Sequence, residues 1–149
     1  MLYMTGHEGF RLSDEEVNGL REYLKKGGLL FAEACCGRRA FGESLVRELR
    51  RVLPGHVLSP VPANSPLFSM PNVVREVGVT PALAAHLGNR PMVSPELQAI
   101  EMDGHYSVIF SPYGLAGGWE LSPNPYAHGY DNAGSLALGE NICMYAITQ

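Results

Sequence analysis

The residues best suited to chemistry lie early in the chain. The run Gly27-Gly28-Leu29-Leu30-Phe31-Ala32-Glu33-Ala34-Cys35-Cys36-Gly37 reads as a buried strand that stops at two thiols and a glycine. In open α/β sheets, ligands bind in the crevice beyond the carboxyl ends of the strands, so a strand followed at once by Cys35-Cys36-Gly37 delivers side chains to that crevice. A sharp strand-to-helix turn there resembles a nucleophile elbow. A thiolate attacks carbonyl carbon when a base or a positive environment lowers its pKa. His7, in the loop Gly6-His7-Glu8-Gly9, is the candidate base for Cys35, with Glu8 or Glu33 to orient its ring. N–H groups of the turn would then meet a developing oxyanion. The competing reading is that the cysteines fill the core, Cys36 more readily than Cys35, since free Cys is among the most buried residue types. No metal is assigned to Cys35, Cys36 and His7. Adjacent cysteines seldom supply the usual spaced ligand pair, and a second Cys-x-x-Cys or a His-x-x-x-His is absent from the sequence.

These residues need elements that bring them together. Leu2-Tyr3-Met4-Thr5 is a short apolar strand, and Gly6 to Gly9 is its carboxyl-end loop. Ser13 with Glu16 three residues later is a capping box, after which Val17, Leu20 and Leu24 recur at helical spacing until Gly27-Gly28. The pattern predicts a helix over residues 14–26 and a second strand over 29–34. Strand, helix and strand form a βαβ unit with parallel strands, which puts both carboxyl ends on one edge of the sheet. If the strands are neighbours, the His7-Glu8 loop and the Cys35-Cys36 turn face each other across one crevice.

Farther along, Phe41, Leu45, Leu49 and Val52 predict a second helix ended by Pro54-Gly55. Its charges, Arg47, Glu48, Arg50 and Arg51, are read as a solvated face. Residues 57–95 are rich in proline, which predicts a short strand near 57–58, irregular connections, and an additional strand within 73–79. Residues 97–102 and 107–112 flank Asp103-Gly104, a strong hairpin signal, and are expected to pair antiparallel. Residues 113–130 form a long Gly/Pro/Asn-rich loop. Such loops are functional or mobile, and this one offers Tyr113, Trp119, Glu120 and His128 to a ligand. Trp119 lines a ligand pocket or anchors the loop to the core. Leu138, Ile142, Tyr145 and Ala146 mark a closing helix, capped by Asp131 or Asn132 and carrying Cys143.

The chain has 149 residues, which suits one α/β domain over 1–149. A net charge of −4 with scattered Lys and Arg excludes an electrostatic footprint for nucleic acid. No apolar stretch is long enough to span a bilayer, and three cysteines with two adjacent make no disulfide framework. The expectation is therefore a cytoplasmic protein in a reducing compartment, without nucleic-acid or membrane partners. No phosphate-cradling or dinucleotide motif is present, so no cofactor is expected.

Leu2-Tyr3-Met4-Thr5-Gly6-His7, Leu12-Ser13-Asp14-Glu15-Glu16, Gly27-Gly28-Leu29-Leu30-Phe31-Ala32, Val108-Ile109-Phe110-Ser111-Pro112 and Gly118-Trp119-Glu120 together resemble an uncharacterised bacterial family, domain of unknown function 4159. That family in turn resembles the class I glutamine amidotransferases. The resemblance implies a flavodoxin-like three-layer sandwich, with a mostly parallel sheet and a C-terminal antiparallel hairpin. It aligns Gly6 and His7 with the glycine pair of the oxyanion hole, and Cys35 and Gly37 with the elbow cysteine and second glycine. The first elbow glycine is replaced by Glu33. The late strand that carries the catalytic His and Glu of those enzymes here reads Phe110-Ser111-Pro112-Tyr113. Longer family members begin with a further strand-helix-strand portion, so the expectation here is a homo-oligomer or a partner protein that completes the sheet. Two classes follow. One is a non-catalytic module that binds a partner protein or small molecule through Gly6, Glu8, Glu33, Cys36, Gly37, Ser111, Tyr113, Trp119 and Glu120. The other is a thiol-dependent hydrolase or transferase using Cys35 and His7.

Overall fold

Ser13 starts the first helix by reciprocal capping: its hydroxyl accepts from the Glu16 N–H, and the Glu16 carboxylate accepts from the Ser13 N–H. A computed structural model describes residues 1–122 and 124–149. The elements are β1 (Leu2–Gly6), α1 (Asp14–Lys25), β2 (Leu30–Ala34), a 3₁₀ turn (Cys35–Gly37), α2 (Arg39–Val52) and β3 (Ser59–Pro60). They continue with a second 3₁₀ turn (Pro66–Phe68), β4 (Val77–Gly78), α3 (Pro81–His86), β5 (Met92–Val93), β6 (Gln98–Met102), β7 (His105–Ser111), α4 (Ala116–Trp119) and α5 (Asn132–Thr148).

The main sheet has the order β1-β2-β7-β6-β3. The pairs β1/β2 and β2/β7 are parallel, whereas β7/β6 and β6/β3 are antiparallel. A separate antiparallel ladder joins β4 to β5. The fold is mixed α/β with a mostly parallel open sheet. The predicted βαβ unit and hairpin are both present. Asp103 (φ 52°) and Gly104 (φ 83°) supply the two positive φ angles of a tight hairpin turn, and Met102 pairs with His105 across it.

The pleat divides β2 between two cores. Leu30, Ala32 and Ala34, with Val108 and Phe110 of β7, pack against Leu24 of α1 and Phe41, Leu45 and Leu49 of α2. Phe31 and Ile109 face the other way, onto Leu67, Leu115, Tyr130 and the α5 residues Leu138 and Ile142. Glu33 shares that second face and is fully buried. Asp131 caps α5 by accepting from the Gly134 N–H at 2.7 Å. No helix of the described residues is long and apolar enough to cross a membrane.

Four expectations are corrected. The charged face of α2 is only partly solvated: Glu48 is buried, whereas Arg50 is exposed. Glu48 accepts from Arg47 Nε at 2.9 Å, from Arg51 Nη1 and from the Leu12 N–H at 3.3 Å. Helical spacing from Ser44 puts residue 48 against the segment leading into α1, where the chain needs an acceptor for Leu12 N–H. The strand expected near 57–58 lies at Ser59–Pro60, because Ser59 is the residue in register with Ala99 of β6 while Val57 is left exposed. The strand sought within 73–79 is confined to Val77–Gly78. The 113–130 segment contains α4, and its carboxyl end bridges to both Gly114 and Val79.

Candidate functional site

In the β1/β2 register Gly6 lies opposite Ala34, so the next residues along, His7 and Cys35, leave the sheet side by side at its carboxyl edge. One ring nitrogen of His7 and the Sγ atoms of Cys35 and Cys36 all lie within 4.8 Å of one another. The two sulfurs are 3.7 Å apart. Sequence spacing gave adjacent cysteines little value as joint ligands, yet the parallel pairing of β1 with β2 supplies the third group from elsewhere in the chain.

The turn that follows β2 explains why both sulfurs reach the same crevice. Along an extended strand, adjacent side chains point to opposite faces. Cys36 instead adopts the left-handed conformation (φ 56°, ψ 19°), which brings its side chain round beside that of Cys35. The Cys36 carbonyl accepts from the His128 N–H at 3.1 Å, which ties the 113–130 segment over the turn. Gly37 has φ 67°, and a Cβ there would lie 2.5 Å from the Cβ of His128, so only glycine fits.

Glu33 is not available to orient His7. Its Oε1 accepts from Tyr3 Oη at 2.7 Å and Thr5 Oγ1 at 3.1 Å, and its Oε2 accepts from the N–H groups of Leu115 and Ala116 at the start of α4. Among the described residues neither Glu33 nor Glu8 is hydrogen-bonded to the His7 ring. The Cys35 thiol is pushed up from the ordinary 9.0 to about 11. Burial is the main cause, followed by the neighbouring Cys36 and the negative Glu33, with the Thr5 hydroxyl opposing them in part. The Tyr3 hydroxyl is raised as well, by burial and by its bond to Glu33.

A cavity of about 250 Å³ opens at this edge, lined by His7, Glu33, Cys35, Cys36, Thr80 and Glu120 among others. The remaining sequence candidates are dispersed. Gly37 and Tyr113 line a larger neighbouring cavity of about 560 Å³ with Arg38, Arg39, His86 and His128. Trp119 faces a third, apolar cavity of about 310 Å³ beside Tyr3 and Phe31, and its indole N–H donates to the Ser135 carbonyl at 2.7 Å. Ser111 is fully buried and donates to the Tyr113 carbonyl at 2.6 Å. Gly6 abuts the Phe41 ring, and Glu8 stays exposed in its loop.

Thr80 and the Gly114–Gly118 stretch belong to the crevice and were missed as site residues. Thr80 caps α3 ahead of Pro81, a Thr-Pro helix start that is visible in the sequence. Its hydroxyl also accepts from the Gly129 N–H at 3.3 Å, a long-range contact with no local signal. The His86 and His128 rings lie 4.8 Å apart, and burial together with His86 holds His128 below its ordinary range.

No curated protein matches the chain. A family model described as Domain of unknown function (DUF4159) matches residues 1–147, and the chain belongs to that family.

Proposed function

We propose that this chain is a single α/β domain that binds a small polar ligand at the carboxyl edge of β1 and β2. On this reading its fold is similar to the class I glutamine amidotransferases, without their glutaminase chemistry. The observation that carries the reading is the convergence of His7, Cys35, Cys36, Thr80 and Glu120 on one cavity of about 250 Å³ above the buried Glu33. Drug-sized ligands occupy sites of roughly 300–1,000 Å³, so the occupant is smaller, and thiol, imidazole, hydroxyl and carboxylate walls suit a polar one. Two features weigh against glutaminase activity. The late-strand stretch Phe110-Ser111-Pro112-Tyr113 carries no histidine, and the Ser111 hydroxyl is spent on the Tyr113 carbonyl. The strained residue of the turn is Cys36, whereas an elbow would strain its nucleophile, Cys35.

Titration with small polar compounds, followed residue by residue in NMR spectra, tests the proposal. Shift changes clustered on residues 7, 35, 36, 80 and 114–120 are expected. Changes confined to the Arg38/His86/His128 cavity would reject it.

The nearness of the His7 ring to Cys35 favours one second reading, a thiol-dependent hydrolase with Cys35 as nucleophile and His7 as base. Turnover of simple amides or esters, lost in both Cys35→Ala and His7→Ala, would install it in place of the first. We further propose that the exposed β1 edge, with Leu2 46% and Tyr3 44% exposed, pairs with a second copy or a partner protein. Sedimentation of the purified chain separates the two. The free thiols Cys35, Cys36 and Cys143 suit a reducing compartment such as the cytoplasm.

A further inference from the structure

We infer that Cys35, Cys36 and His7 bind one thiophilic cation of the zinc class, leaving a coordination position open to the crevice. The inference names the ligand class of the site proposed above and rests on that reading.

The donor set is the first argument. Two thiolates and an imidazole prefer zinc-like ions over hard, oxygen-seeking ones. Geometry is the second. With metal–sulfur bonds of ~2.3 Å at tetrahedral angles, two cysteine sulfurs sit roughly 3.8 Å apart. Cys35 and Cys36 hold theirs at 3.7 Å before any ion is added. An imidazole nitrogen at ~2.0 Å from the same ion lies roughly 3.5 Å from each sulfur. All three ligand atoms are already within 4.8 Å, and His7 sits in an exposed loop that needs to close by only about 1 Å.

The left-handed backbone of Cys36 is the third argument. It costs conformational energy in a non-glycine residue, and its consequence is to turn the second sulfur to the side of the first. Core filling needs no such turn, and both cysteines remain only half-buried. Finally, the walls are selective for charge. Glu33 and Glu120 line this cavity and no Lys or Arg does among the described residues, whereas Arg38 and Arg39 line the neighbouring one. Three protein ligands with an open fourth position is the pattern of exchangeable or catalytic zinc rather than of closed structural sites. On binding, each thiol releases its proton to solvent as its sulfur bonds the metal, two protons in all.

The test uses the full chain under a non-chelating reductant. Zn²⁺ affinity is measured by competition with a chromophoric chelator, and Co²⁺ is added as a spectroscopic probe. One ion per chain is expected, with a sulfur-to-cobalt charge-transfer band. Cys35→Ser and Cys36→Ser should each weaken binding about a hundredfold and His7→Ala about tenfold, with Cys143→Ser unchanged. As a check independent of variant folding, Zn²⁺ should protect Cys35 and Cys36 of the unmodified protein, and not Cys143, from iodoacetamide. Binding that survives the Cys35→Ser/Cys36→Ser double variant, a band that depends on Cys143, or no band at all would overturn the inference. If polar compounds still shift residues of the crevice while metals do not, the inference alone fails. If neither does, the ligand-binding reading fails with it.

Discussion

Among the described residues two glutamates are buried, and they are held in opposite ways. Glu48, on α2, is surrounded by cations: Arg47 and Arg51 donate to it, and Arg51 also reaches Asp14 at 2.7 Å and the Leu12 carbonyl at 2.8 Å. Glu33, on β2, meets no cation among the described residues. Two hydroxyls and two backbone N–H groups hold it. A carboxylate neutralised by its own arginines is a clamp, here fixing the segment before α1 onto α2. A carboxylate satisfied by neutral donors keeps its charge unanswered, and Glu33 keeps it on the floor of the crevice with His7, Cys35 and Cys36. The same residue type thus makes structure on one face of the sheet and electrostatic potential on the other.

The largest effect should come from Glu48→Gln. The new amide turns its NH₂ toward a guanidinium, donor against donor, and deprives a charged hydrogen bond of its acceptor. A loss of about 3 kcal/mol in urea unfolding is expected, as when one partner of a buried pair is removed. A loss below about 1 kcal/mol would show that water replaces the carboxylate and that the clamp is dispensable.

Stability against pH separates the two regions next. Burial would raise Glu48, but the bonds from Arg51, Arg47 and Leu12 outweigh it, and its pKa lies below the ordinary 4.5. A depressed carboxyl contributes stability that is fully present above 4.5 and is lost as pH falls through its folded value. Cys35 has the opposite sign. Raised from 9.0 to about 11, it contributes stability that is complete below 9.0 and is lost as pH rises through 11. The acid limb of a Tm–pH profile should therefore flatten in Glu48→Gln, and the alkaline limb of the metal-free protein in Cys35→Ser. Iodoacetamide reaction at Cys35 should keep accelerating toward pH 11, whereas Cys143 serves as the exposed reference. A Cys35 profile that levels off below pH 8 would sink this picture and revive the activated nucleophile.

A smaller effect should appear at the turn. Cys36→Ala and Cys36→Gly both remove the sulfur, but only glycine accepts φ 56° without strain. The glycine variant should be the more stable of the two by about 1 kcal/mol. Equal stabilities would mean that the left-handed geometry stores nothing, which would weaken the case that the turn is held for the sake of its sulfurs.

Local signals carried most of what the sequence told. The Ser13/Glu16 capping box, the Asp103-Gly104 turn and the period of α2 each involve residues a few positions apart, and each was legible. The nearness of His7 to Cys35 followed from one further step, the parallel pairing implied by a βαβ unit. What escaped depended on contacts between distant segments. Glu33 read as a residue aimed at His7, because nothing nearby announces that Leu115 and Ala116, more than eighty positions later, bring two N–H groups to it. Glu48 read as solvated because its burial depends on where Leu12 crosses α2. The left-handed turn at Cys36 escaped for a different reason: a cysteine does not advertise that conformation as glycine or asparagine does.

The same substitution made at the two carboxylates sharpens the contrast most, and its second half should be nearly silent. In Glu33→Gln the amide oxygen can remain on Leu115 and Ala116 N–H while the NH₂ donates to the Tyr3 and Thr5 hydroxyl oxygens, which act as acceptors once they rotate. All four contacts are kept, and the displaced hydroxyl protons of Tyr3 and Thr5, both exposed residues, turn to solvent, so the cost in urea should be less than about 1 kcal/mol, against about 3 kcal/mol for Glu48→Gln. Because the shape is kept and the charge removed, any loss of cation binding in this variant reports on the potential of the crevice and not on its architecture. A large loss of stability would mean instead that the charge of Glu33 holds the start of α4 in place, and the two glutamates would then both be structural.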